Sequence, residues 1–295
     1  MISGLLILVM LFSSSFGVFA ANNTKKDESR TSSAEDTSII STINAEQLTK
    51  QNLTTDEKEK IKNDYNYLTK CKVDVDLIND IEVVKDGKNV YKIEYPNNIK
   101  ESITIEYKDG TYIMDVSQGK NKSNNLVITD KDIYLDGNKI EVQRENVVVS
   151  KEEASAQDTI IPMADRDRIN TLNCPYGSSA DYNDMQYVES NFNVPLTTML
   201  KNITVTTLSS ILGYVVFVGM TGAVASGIAS GILTSFSGST SDGLSYKNYV
   251  YYHKDGHYIQ AVGGFVEKNN VRWYEKINYG GSSTVIPTYS IIKYY

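Results

Sequence analysis

The stretch Ile211-Leu-Gly-Tyr-Val-Val-Phe-Val-Gly-Met-Thr-Gly-Ala-Val-Ala-Ser-Gly-Ile-Ala-Ser-Gly-Ile-Leu233 decides how this chain is read. No Asp, Glu, Lys or Arg occurs between Lys201 and Asp242. Small residues recur at every fourth position, at Gly219, Ala223, Gly227, Gly231 and Ser235, and a second row runs beside them at Gly222, Ser226, Ser230 and Thr234. On a helix these rows form a smooth face that another helix can approach closely. The spacing predicts an apolar helix, or a helix pair, over 203–235, with Gly219, Gly222, Ala223, Gly227 and Gly231 as the candidate membrane- or helix-packing residues. Residues 211–233 are long enough to cross a bilayer. Ten of them are Ile, Leu, Val or Phe, which favours insertion by about 3–6 kcal/mol in sum, while the interspersed Gly, Ser and Thr oppose it. Three readings follow. The segment is core, with close packing offsetting roughly 1 kcal/mol of lost helix propensity per Gly; or it is a single-pass transmembrane anchor; or it is a membrane-active glycine zipper that self-associates.

On the C-terminal side, Ser235–Gly243 is a flexible break, and 246–295 returns to strand character. Tyr249-Val-Tyr-Tyr-His-Lys-Asp-Gly-His-Tyr-Ile-Gln predicts a hairpin turned at Asp255-Gly256, and Val271-Arg-Trp-Tyr and the Tyr-rich end predict further strands. The chain has 21 Tyr against 7 Phe and 1 Trp, a bias that suits half-wet strands and interfaces. On the N-terminal side, 151–162 is small and polar and reads as a linker. Residues 55–150 read as a short helix, capped at Thr55 or Asp56 with inner face Ile61, Tyr65 and Leu68, followed by an antiparallel β domain. There Ile, Val and Tyr alternate with polar residues, and Asp86-Gly87, Asp109-Gly110 and Asp136-Gly137 supply tight hairpin turns. Residues 21–54 read as a disordered leader, and Leu5–Ala20 reads as the apolar part of a signal peptide spanning 1–20, so the protein is expected to be secreted. The expected fold class is α+β: an antiparallel meander, then the small-residue helix or helix pair, then a Tyr-rich antiparallel unit within a C-terminal domain of 163–295.

A net charge of −7 argues against a nucleic-acid partner. The charge is uneven: residues 201–295 carry four acids and seven bases, which would draw this part weakly to anionic lipid. The only histidines, His253 and His257, flank a short turn and with Asp255 could hold zinc or copper; the competing reading is two exposed turn residues. Export permits a disulfide between Cys71 and Cys174, and two free thiols are the competing reading. No nucleophile–base pair and no phosphate-binding loop is present as a local motif, so neither an enzyme nor a cofactor is expected. The expected partner is a lipid membrane or a second copy of the chain; an immunity or export partner is not identified by any motif.

The layout resembles that of large secreted bacteriocin-like proteins of Gram-positive bacteria, the geobacillin type. The resemblance covers roughly residues 160–295 and rests on the pairing of Leu208-Ser-Ser-Ile-Leu-Gly-Tyr-Val-Val-Phe-Val-Gly-Met-Thr-Gly-Ala-Val-Ala-Ser-Gly-Ile with Tyr249-Val-Tyr-Tyr, Val271-Arg-Trp-Tyr and the Tyr-rich end. It implies an extracellular, membrane-active antimicrobial protein and carries over no site residues. A cell-surface or membrane-anchored binding protein without toxic activity is the alternative.

Overall fold

The computed structural model describes residues 53–83, 88–145, 166–216 and 220–294. The expected signal peptide 1–20, residues 21–52 of the leader, the Asp86-Gly87 turn, the 151–162 linker and Gly219 lie outside the described residues. The fold is α+β, as the alternating pattern and the Asp-Gly turns imply.

Helix α1 (Thr55–Lys70) starts one residue earlier than its sequence suggests, because Thr54 is the cap. The Thr54 amide donates to Glu57 Oε2 at 2.7 Å, and Glu57 N donates back to Thr54 Oγ1 at 3.3 Å, a capping box. Ile61, Tyr65 and Leu68 are its buried face. That face packs on a seven-stranded meander in which every strand pairs with its sequence neighbour: β1 (Ile78–Val83), β2 (Asn89–Tyr95), β3 (Ile99–Lys108), β4 (Thr111–Gln118), β5 (Lys122–Ile128), β6 (Ile133–Leu135) and β7 (Asn138–Lys139). Asp109 and Gly110 have φ of 50° and 82°, and Asp136 and Gly137 have 51° and 82°. Positive φ at both central residues is the mirror-image turn that matches strand twist.

The second sheet also has seven strands: β8 (Gln143–Glu145), β9 (Arg166–Thr171), β10 (Asp184–Pro195), β11 (Gly243–Tyr252), β12 (Tyr258–Ile259), β13 (Gly264–Tyr274) and β14 (Ser283–Tyr294). Their spatial order is β8-β10-β11-β13-β14-β9, with β12 on β13. Strand β8 follows the meander in sequence but joins the second sheet beside β10. The expected hairpin at Asp255-Gly256 does not form. Only a His253–Gly256 bridge closes there, and Tyr258–Ile259 pairs with Gly264–Phe265 instead of returning along β11, which is flanked by β10 and β13.

Between the two sheets lies the uncharged run. It is a helix pair: α2 (Val205–Ile211), a π-helical turn over Leu212–Val216, and α3 (Gly222–Ser235). Thr204 caps α2 and Thr221 caps α3 through their side-chain oxygens, so each helix begins on its own signal. With 14 residues, α3 is about 21 Å long, against a hydrocarbon core of about 30 Å. Among the described residues no helix is long and apolar enough to cross a membrane. The run is uncharged because it is interior. One apolar cluster extends from α1 and the inner face of the meander through α2 and α3 to Tyr246, Val271 and Trp273 of the second sheet. Every residue of α2 is buried, and its hydroxyls are satisfied locally: Thr206 Oγ1 lies 2.8 Å from Tyr95 Oη, Ser209 donates to Lys72 O at 2.9 Å, and Ser210 donates to Thr206 O at 2.8 Å.

The meander reaches α2 through one carboxylate. Glu101 on β3 is 2% exposed and accepts from Val205 N at 2.6 Å and Thr206 N at 3.0 Å, two of the amides a helix start leaves without partners. Burial pushes its pKa above the usual carboxylate range, and those hydrogen bonds and Lys122 oppose the shift. A raised folded-state pKa contributes stability below the unfolded value and loses it as pH rises through the folded one. Glu101→Gln, neutral at every pH, should therefore flatten that part of the stability–pH profile. Glu101→Ala leaves two buried amide donors unpaired, at about 1–3 kcal/mol each, and should lower unfolding free energy in urea titration by about 3 kcal/mol.

Candidate functional site

The small-residue rows pack against this chain's own loops and strands. A Cβ on Gly222 would sit 2.5 Å from the Val73 carbonyl oxygen, one on Gly231 would sit 2.9 Å from Ile286 Cδ1, and one on Gly227 would collide with Leu172. In the second row Ser226 donates to Asp74 Oδ2 at 3.4 Å, and Asn97 donates to Ser230 at 3.4 Å and to Thr234 at 3.2 Å. Ala223 is exposed. The face read as a zipper for lipid or for a second copy is thus largely occupied within the monomer.

Cys71 and Cys174 are both free thiols, which corrects the disulfide reading. Cys71 closes α1 inside the main core, whereas Cys174 packs with Tyr176 beside a separate small cluster of Tyr182, Ile259, Val266 and Tyr289. Burial pushes the Cys71 thiol up to about 12. The histidines are directed apart. His253 is buried with its ring against Tyr176 and Tyr182, its Nδ1 accepting from Asp255 N at 3.1 Å. His257 stacks on Tyr252 with ring centroids 3.7 Å apart and lies 3.2 Å from buried Glu267, which Arg168 also binds at 3.0 Å. Among the described residues no group of three His, Cys, Asp or Glu side chains could hold a metal, so the metal reading of His253, His257 and Asp255 is not met by the geometry.

The exposed chemistry concentrates on the outer face of the second sheet. Trp273, Val271 and Tyr246 face the helices, so period-2 alternation turns the intervening residues outward. In register these are Lys247 opposite Arg272, Tyr249 opposite Asn270 and Tyr251 opposite Lys268 on β11 and β13, with Tyr274 beside Ser245. Val285 and Pro287 continue the face on β14. Val285 is 42% exposed, and Met185, opposite Tyr251, is 43% exposed. The Lys247 ammonium sits 4.2 Å from the centre of the Tyr279 ring, a cation–π contact. Partial burial pushes the Tyr249 phenol up, Tyr274 adds to the shift and Arg272 opposes it, so these groups act on one another across the face. No outward position of β11, β13 or β14 holds Asp or Glu. The loop 174–182 covers the far end: Lys268 donates to Ser179 O at 2.8 Å, Lys254 pairs with Asp181 at 2.8 Å, and Tyr289 is buried against Tyr182. Sequence reasoning assigned the Tyr-rich unit to an interface but missed which residues share this face, because it read Tyr249–Gln260 as a hairpin, although the alternation of Lys247, Tyr249 and Tyr251 with Tyr246, Asn248 and Val250 carries it.

No family model matches the chain, and neither a curated protein nor a solved structure matches it.

Gly222→Ala should destabilise the fold by about 2 kcal/mol, within the ~1–3 kcal/mol of overpacking, while exposed Ala223→Gln should stay within about 0.5 kcal/mol; thermal denaturation of the two variants checks the contrast. In a thiol-reagent assay on the folded protein Cys174 should react and Cys71 should react only on unfolding, because Cys71 is buried and burial disfavours its thiolate.

Proposed function

We propose that the protein is a secreted, non-enzymatic protein that docks on anionic membrane surfaces through the outer face of its second sheet. The observation that carries this is the acid-free array of Lys247, Arg272, Tyr249, Tyr251 and Tyr274 on a chain whose net charge is −7. Tyrosine favours the headgroup zone, where its ring is half-buried and its hydroxyl stays wet. Each Lys or Arg near an anionic surface contributes about 1 kcal/mol. Two such charges give weak, reversible docking, to which the tyrosines and Val285 add. The acidic remainder of the molecule is repelled, and this orients the basic face toward the lipid. Secretion rests on Leu5–Ala20. The bacteriocin-like activity implied by the layout fits the same docking step. Insertion of α2 and α3 would have to follow it by parting the two sheets, since both helices are core.

The protein should co-sediment with phosphatidylglycerol vesicles, not with phosphatidylcholine vesicles, and should be released in about 1 M salt, where the screening length falls to ~3 Å. Lys247→Gln with Arg272→Gln should abolish co-sedimentation, and Lys108→Gln on the meander should leave it intact. Equal binding by the double variant, or equal binding to neutral vesicles, overturns the proposal. Release of a trapped dye would add insertion to docking; docking without leakage supports the binding protein without toxic activity.

A further inference from the structure

We propose that the cleft of about 330 Å³ between the β4–β5 hairpin, the start of α2 and the end of α3 binds a small amphiphilic anion, a carboxylate or phosphate head on a short apolar tail. It shares no residue with the docking face and goes beyond that reading. Its floor is apolar, from Leu200, Val205 and Leu233, with Ile99 beside them. Two lysines line it, Lys122 and Lys201, with Gln118 and Thr234 as further polar residues. Some lysines of this acidic chain pair with carboxylates, as Lys60 does with Asp64, Lys100 with Glu94, Lys139 with Asp132 and Lys254 with Asp181. The ammonium groups of Lys122 and Lys201 make no ion pair or hydrogen bond among the described residues.

Lys122 is half-buried, and burial pulls its pKa down while Glu101 holds it up. Glu101 is the one carboxylate that acts on it, and that carboxylate is shared with the α2 amides, which donate to it at 2.6 Å and 3.0 Å. A cation partly removed from water, in a cleft that a second lysine also lines, is stabilised by an anion that enters the cleft. The apolar floor rewards a tail on that anion over a bare ion. The volume is at the low end of the ~300–1,000 Å³ range of small-molecule sites, and at roughly 30 Å³ per non-hydrogen atom it admits about ten. A medium-chain carboxylate or alkyl phosphate has that size and shape.

Titration calorimetry of the full chain with octanoate and with hexyl phosphate tests this, and the tighter of the two names the head group. Saturable binding at one site is expected, weaker by roughly tenfold or more for octanol, octylammonium and acetate, and weaker by a similar factor for the Lys122→Met, Lys201→Met double variant. Thermal unfolding of the variant checks that the fold survives the loss of the Lys122 charge near Glu101. Absence of saturable heat with both anions, equal affinity for octylammonium or acetate, or unchanged affinity in the double variant overturns the proposal. None of these results depends on vesicle binding, so the two readings fail separately.

Discussion

The carboxylate of Glu101 against the first amides of α2 is the contact on which the layering depends. A helix buried along its whole length cannot satisfy its opening amides with water, and α2 is such a helix. Thr204 supplies one acceptor from its own side chain, and the neighbouring sheet supplies the other two through Glu101. Asn124 on β5 extends the same bridge by accepting from Thr204 N at 3.0 Å. Because these bonds have direction, they fix where α2 starts over the meander, which apolar contact alone would leave loose. The placement of α2 then positions α3, and α3 positions the second sheet through Ile286 and Leu172.

A buried carboxylate needs this many partners because removal from water works against it. The same logic holds at Asp64, 5% exposed, which binds Asn89 at 2.8 Å, Tyr91 at 2.6 Å and Lys60 at 3.0 Å and so ties α1 to β2. The phenol of Tyr91 is pushed up by burial and by this carboxylate, which keeps it a donor. Helices α1 and α2 are thus each held to the meander by a buried carboxylate set in an apolar face.

The meander was legible in the sequence because its signals are local: period-2 alternation and Asp-Gly turns whose φ values the structure reproduces at Asp109 and Asp136. The inner face of α1 was legible for the same reason. The partners were not. Glu101 shares parity with Ile103 and Ile105, and Asn124 with Leu126 and Ile128, so alternation marks them as inward, but nothing local says what they meet. Asp255-Gly256 imitates the other turns, yet only Gly256 has positive φ, and the chain leaves for β13. The small-residue rows were equally ambiguous, since lipid, a second helix and a neighbouring backbone all select for missing side-chain volume. The Val73 carbonyl beside Gly222 supplies the third of these, through a contact about 150 residues apart in sequence that no periodicity encodes.

The second sheet shows how an interior can dictate an exterior. Behind the docking face, Asn248 donates to Asn269 at 3.1 Å, Asn269 to Ser290 at 3.0 Å and Ser290 to Asn170 at 2.9 Å, a buried ladder across β11, β13, β14 and β9. A one-residue slip of any of these strands would turn its rung outward and bring its outward residues in. On β11 the slip would bury Lys247 and Tyr249; on β13 it would bury Arg272 and Tyr274. Each slip would strand buried amides as well as a buried cation, and both are costly. The ladder therefore holds the register that keeps two cations and three tyrosines on the side facing water, and the chemistry offered to a membrane is set by the asparagines on the opposite face.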